Sequence, residues 1–137
     1  MTVATFRPGD ELSSRERVVT REDIAAYAEA SGDRNPLHLD EGFARAAGFD
    51  GVIAHGMFTL GQLTSAIVGW CGDPGRVLSM SAQFRSPVRP GDKIVAHGRV
   101  RSIEPAEAVA TLDVWVSVER DGAIDEPVRR GVARVRI

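Results

Sequence analysis

The 137-residue chain has one cysteine, Cys71, and one lysine, Lys93. A lone cysteine can form neither an intrachain disulfide nor a multi-cysteine metal site, and a reduced, cytoplasmic setting is expected. A formal net charge of -2 leaves no basic field for nucleic acid or an anionic membrane. Long apolar runs are missing too. Met1–Pro8 lacks the apolar stretch of a signal peptide. The segment 52–70 is broken by His55, Gly56, Thr59, Gly61, Gln62, Thr64, Ser65 and Gly69, too polar to span a bilayer. Of the three histidines, His38, His55 and His97, no two have the i, i+4 spacing of a helical metal pair, so no metal is expected. No Gly-rich phosphate loop follows a strand and no G-x-S-x-G occurs, so neither a nucleotide cofactor nor a serine hydrolase is expected. What remains is a 43% hydrophobic, 26% charged chain, one ordinary domain over residues 1–137.

Its two halves differ. Pro8-Gly9-Asp10 is a turn, and a first strand follows to about Val19. Thr20 reads as a helix N-cap with Glu22 and Asp23 in the first turn and Ile24, Tyr27 and Ala28 on one apolar face; the helix ends near Ser31-Gly32. Residues 33–39 read as irregular, because Pro36 disfavours helix at Asn35. Asp40 caps a short helix ended by Gly48, with Phe43, Ala46 and Ala47 inward. A helix over about 57–70 is apolar nearly all round, which predicts burial. After Gly72-Asp73-Pro74-Gly75 the period becomes 2. Strands are expected at 77–86, 93–103, 109–119 and 128–137, with a turn or bulge at Pro87–Asp92 and a hairpin turn at Asp121-Gly122. Helices first and strands afterwards indicate α+β, an antiparallel sheet around one long buried helix. Such a sheet has open edges, which commonly pair with another subunit.

Two clusters could carry chemistry. Asp33 and His38 are five residues apart in a loop stiffened by Pro36, and a carboxylate with an imidazole can hold and polarise one water. Asn35 can fix that loop through its side chain. The plainer reading makes Asp33 a turn cap and His38 a hydrogen-bonded loop histidine. Gly56 opens the long helix, where free N–H groups stabilise a developing oxyanion and a glycine admits a ligand carbonyl; the plainer reading is a glycine turn. His55 reads as a packed, hydrogen-bonded histidine, and His97 as structural or surface.

Three ordered motifs resemble the MaoC-like dehydratases, the R-specific enoyl-thioester hydratases. They are Gly32-Asp33-Arg34-Asn35-Pro36-Leu37-His38-Leu39-Asp40, Ile53-Ala54-His55-Gly56-Met57, and Phe84-Arg85-Ser86-Pro87-Val88-Arg89-Pro90-Gly91-Asp92. The resemblance implies a hot dog fold that dimerises through sheet edges and an acyl thioester, on CoA or acyl carrier protein, with its carbonyl at Gly56 N–H. It implies water held by Asp33 and His38, no cofactor, and Asn35, His55 and Thr64 in support. Trp70-Cys71-Gly72-Asp73-Pro74-Gly75 is similar to the β-type subunits of actinobacterial hydroxyacyl-ACP dehydratases, which implies a homodimer or the catalytic half of a heterodimer. Two alternatives stand beside the hydro-lyase: a hot dog thioesterase and a non-catalytic acyl-binding subunit. Acyl length would depend on Phe43, Phe49, Phe58, Leu63 and Trp70. Arg85 and Arg89 either meet phosphates or are simply solvated.

Overall fold

A computed structural model describes residues 5–137. Residues 1–4 lie outside the described residues, and with them half of the Met1–Pro8 segment. The elements in order are β1 (Glu11–Ser13), β2 (Arg17–Val18), α1 (Arg21–Ser31), α2 (Pro36–Leu39), α3 (Glu41–Ala46), α4 (Gly56–Cys71), β3 (Val77–Phe84), β4 (Lys93–Glu104), β5 (Val109–Arg120) and β6 (Ala123–Arg136).

The sheet is antiparallel in the order β1-β4-β5-β6-β3, with β2 also on β4. Alternation decides its inner face. Ile94, Ala96 and Val100 of β4 and Leu112, Val114, Val116 and Val118 of β5 are buried, in a register that pairs Ile94 with Val118 and Val100 with Leu112. α4 lies across this face, with Leu63 and Ile67 fully enclosed. Each such side chain contributes about 1.5–3 kcal/mol by leaving water. Trp70 sits on the backbone of Gly98, where a Cβ would come within 2.8 Å of its ring. The architecture is the hot dog fold, one long helix held by a curved antiparallel sheet. No helix among the described residues is long and apolar enough to cross a membrane.

Several local expectations are corrected. The first strand is two pieces. Between the pairs Ser13–His97 and Arg17–Ile94 the outer chain has one residue more than β4, a bulge, and Ser14 anchors it by giving its N–H to Ala96 O and accepting the Ala96 N–H on Oγ. Residues 36–39 form a helical turn. Asn35 is extended, as a residue before proline should be, and Pro36 takes the first helical position, where its missing N–H costs nothing. In α3 the buried residue is Ala44, while Phe43, Ala46 and Ala47 are exposed; six residues are too few for apolar spacing to choose a face. α4 is enclosed along Phe58, Thr59, Leu63, Ile67 and Cys71, whereas Met57 is 57% exposed. Its apolar outer flank therefore stands clear of the chain's own sheet. β6 begins at Ala123, earlier than expected, because Arg120–Ala123 closes a tight hairpin.

Other local signals hold. Thr20 and Asp23 form a reciprocal capping box on α1, and Gly32 ends the helix at φ 78°. Asp40 caps α3 through the Phe43 N–H.

Gly131 of β6 faces Val114, and a Cβ there would lie 2.5 Å from the Val114 carbonyl oxygen. Gly131→Ala is expected to destabilise the fold by about 1–3 kcal/mol through overpacking against backbone. Urea unfolding measures this; an unchanged midpoint would show that the two strands can shift freely.

Candidate active site

The site forms where three segments meet: the loop after α1, the short stretch before α4, and the loop after β3. Asp33 follows the glycine that ends α1. Its Oδ1 accepts the Asn35 N–H at 3.2 Å, and Asn35 Oδ1 in turn accepts the Leu37 N–H at 3.0 Å, capping α2. These two turns deliver His38 into the structure half-buried, with Asp33 left exposed.

Both histidines of the site are fixed by backbone carbonyls. His38 Nδ1 lies 2.7 Å from Ile53 O, and His55 Nε2 lies 2.8 Å from Asp33 O. A carbonyl only accepts, so these are the nitrogens that carry the protons. The basic lone pair of neutral His38 is therefore on Nε2. The rings stack at 3.7 Å between centroids, and Tyr27 packs on the other side of His55 at 4.8 Å. His55 is 3% exposed, and its Nδ1 is buried without a protein partner. Asp33, His38 and His55 each offer a polar atom within 4.8 Å of the others, the one such His/Cys/Asp/Glu cluster among the described residues. One nitrogen of each ring is already committed to a carbonyl.

His55 is also the N-cap residue of α4, and its side chain makes no capping bond there. The first N–H groups of the helix, those of Gly56 and Met57, have no intrahelical acceptor by position. Gly56 has Phe84 against it; a Cβ on Gly56 would press to 3.3 Å from that ring. A cleft of about 290 Å³ opens here, lined by His38, Phe49 and Gly56 on one side and Phe84, Ser86 and Val88 on the other. Imidazole and uncapped helix end thus face one apolar space.

The expected site residues divide accordingly. Asp33, Asn35, His38, His55 and Gly56 are brought together. Thr64 is not in the cleft; its hydroxyl donates to Leu60 O at 2.9 Å and lies 3.4 Å from Met80 Sδ. Of the residues expected to limit acyl length, Phe49 lines the cleft, while Leu63 is core and Trp70 covers Gly98. Arg85 lines the cleft, whereas Arg89 pairs with Asp50 at 3.3 Å. Thr59, buried in the cleft wall, was missed; its signal is the polar i+3 position after Gly56. His97 lies away, stacked on Trp115 and 2.7 Å from Ser117 Oγ, and burial pushes its imidazole below the ordinary histidine value despite the opposing pull of Glu126.

Comparison with known proteins places this geometry. Residues 4–120 match the family model described as MaoC like domain. A 3-hydroxybutyryl-CoA dehydratase of Methylorubrum extorquens is 36% identical over 120 residues, 87% of this chain and 73% of that protein. A mitochondrial 3-hydroxyacyl-[acyl-carrier-protein] dehydratase of Arabidopsis thaliana is 47% identical over 99 residues, 72% of this chain and 57% of that protein. Among solved structures, the (R)-hydratase of A. caviae involved in PHA biosynthesis superposes with a TM-score of 0.84 at 28% identity, covering 97% of this chain and 98% of that one. Fold and relatives define the class, a hot dog hydro-lyase. The chain belongs to the MaoC-like family.

The carbonyl contacts fix opposite tautomers in the two stacked rings. Nitrogen NMR of the neutral protein should show His38 protonated on Nδ1 and His55 on Nε2; the reverse assignment for His38 would remove the free Nε2 from the cleft.

Proposed function

We propose that the chain adds water across trans-2-enoyl thioesters and, in reverse, dehydrates (3R)-hydroxyacyl thioesters, carried by CoA or acyl carrier protein. The observation that supports this best is the His38 Nδ1 contact with Ile53 O, which leaves Nε2 as the free lone pair of a ring clustered with the Asp33 carboxylate, on the same side of the cleft as an uncapped helix end.

Hydration needs a nucleophilic water at Cβ and a proton at Cα. Asp33 and His38 hold the water between them and, as a pair, take one proton from it and return one to Cα. Charge builds on the thioester oxygen between these events. The Gly56 N–H, at the positive end of α4, stabilises it against the mainly apolar wall of the cleft. His55 and Asn35 hold the Asp33 and His38 backbone in place. Dehydration is the same path reversed. No group beyond the chain's own residues and water takes part.

A second hot dog subunit, identical or related, completes the assembly. Among the described residues β3 is paired on one side only, by β6, and it exposes Leu78 and Phe84. Met57 at the head of α4 and Leu39 and Phe43 beside the site are exposed as well. One partner docked along β3 would cover an open strand edge and apolar side chains together. Free, buried Cys71 suits a reducing compartment, and the cytoplasm is the proposed location.

Asp33→Asn and His38→Ala should each lower crotonyl-CoA hydration by roughly two orders of magnitude or more with the fold intact. Near-normal rates in both would end the assignment of the pair. Product analysis separates the thioesterase reading: free thiol would indicate attack at the carbonyl, and a 3-hydroxyacyl thioester attack at Cβ. Activity appearing only with a second subunit would indicate a heterodimer.

A further inference from the structure

Opposite His38, the cleft wall is the loop Arg85–Val88, which has no helix or strand of its own. Its position is set by one side chain from the far end of β5. Arg120 donates from Nη2 to Pro87 O at 2.7 Å, from Nε to Asp92 Oδ1 at 3.1 Å with Nη2 also reaching Asp92 Oδ2, and from Nη1 to Asp125 Oδ2 at 3.3 Å. Asp125 Oδ2 also accepts the Ser86 hydroxyl at 2.7 Å, and Asp92 Oδ2 accepts the Arg89 N–H at 2.8 Å. One planar guanidinium thus grips the loop at Pro87 directly, at Ser86 through Asp125, and at Arg89 through Asp92.

The grip is well satisfied electrostatically. The Arg120 side chain is 23% exposed and Asp92 11%, so the ion pair is sheltered from full solvent screening. The Ser86 hydroxyl, opposed by partial burial and aided by the Glu126 N–H and Arg120, holds the Asp125 carboxyl below the ordinary carboxylate value. Asp125 therefore stays charged across the neutral range. The loop then passes the constraint on: Val88 O accepts the Ala54 N–H at 2.7 Å, and Ala54 directly precedes His55 and Gly56.

We propose that Arg120 is a positioning residue that sets the spacing between the Ser86–Val88 wall and the His38–Gly56 side of the cleft, and so the fit of the thioester substrate. This rests on the hydro-lyase reading for the identity of the ligand, but the gripping itself does not. Arginine suits the role because its fork reaches three acceptors in fixed directions, which a lysine ammonium cannot do.

The test compares Arg120→Gln, Arg120→Lys, Asp125→Asn and Ser86→Ala with the wild type and with Arg101→Gln, which breaks an exposed pair with Asp113 on the outer sheet face. Two readouts are taken: amide hydrogen exchange at Ala54 and Arg89, and KM and kcat for enoyl-CoA substrates of increasing length. Arg120→Gln should speed exchange at those amides and raise KM roughly three- to tenfold with kcat within about twofold, on the scale of one ordinary hydrogen bond lost. Asp125→Asn and Ser86→Ala, which keep the Asp92 pair, should move KM in the same direction by less, Arg120→Lys should fall between, and Arg101→Gln should change neither. A purely structural role predicts a lower thermal midpoint and a smaller active fraction at unchanged KM. That result, or wild-type exchange in Arg120→Gln, would overturn the proposal. A wild-type protein inert toward every enoyl thioester, both alone and with a second hot dog subunit, would refute the hydro-lyase reading, while the exchange data would still decide whether Arg120 holds the wall.

Discussion

The hydrogen bond from the buried His55 ring to the carbonyl of Asp33 is the constraint on which the site depends. It joins segments 22 residues apart and does three things at once. It orients the backbone that presents the Asp33 carboxylate. It fixes the ring on which His38 stacks. Because its ring is held there and its Nδ1 accepts no capping bond, it also leaves the first turn of α4 with free N–H groups. A serine or aspartate at that position would accept from those N–H groups and satisfy the helix locally. The fold accepts an uncapped helix here, and a buried imidazole nitrogen without a protein partner, in exchange for an electropositive helix end facing the cleft.

The sheet makes that arrangement rigid. α4 has glycines at 56, 61 and 69, which weaken it as an isolated helix. Burial of Leu63 and Ile67 against Leu112, Val114 and Val116 supplies what propensity does not. The helix end is thereby held by packing further along the helix, and the Asp33–His38 loop is pinned beside it by two histidine-to-carbonyl bonds. On the proposed reading the reaction uses a water, two side chains and a helix end, and the backbone that carries these side chains and the helix end is held by the core.

The parts legible in sequence are those governed by local rules. The β5 alternation, the α1 caps and the Asp121-Gly122 hairpin each follow from a few neighbouring residues, and each is found. The Asp33–His38 and His55–Gly56 clusters could be singled out because their spacing and residue types are unusual, although which nitrogen of each ring is free depends on Ile53 O and Asp33 O, acceptors brought in from distant segments. Phe43 was misplaced because a six-residue helix carries too little periodicity to define a face. The β1–β2 bulge is not legible in the sequence because Ser14 anchors it to Ala96, 82 residues away. Thr64 and Thr59 differ by little in sequence; the hydrogen bond to Leu60 and the contact with Met80 place one toward β3, and helix phase places the other in the cleft.

The far wall shows the same limit in its strongest form. Phe84, Ser86 and Val88 sit inside a motif, so their importance could be suspected, but a motif does not say what holds it. The holding residue is Arg120, a charged residue at a strand end next to a hairpin, indistinguishable in sequence from the arginines at 99, 101 and 134 that pair with acids on exposed strand faces. What separates it is burial and multiplicity: three acceptors instead of one or two, one of them a backbone carbonyl in the cleft wall. An exposed pair on a sheet face is worth little, because both partners are well solvated when apart. A sheltered guanidinium that also satisfies a loop carbonyl would leave several unpaired groups behind if removed. The loop has no secondary structure to hold its shape, so the cost of losing Arg120 falls on the geometry of the wall itself, and through Val88 on the segment that carries His55 and Gly56.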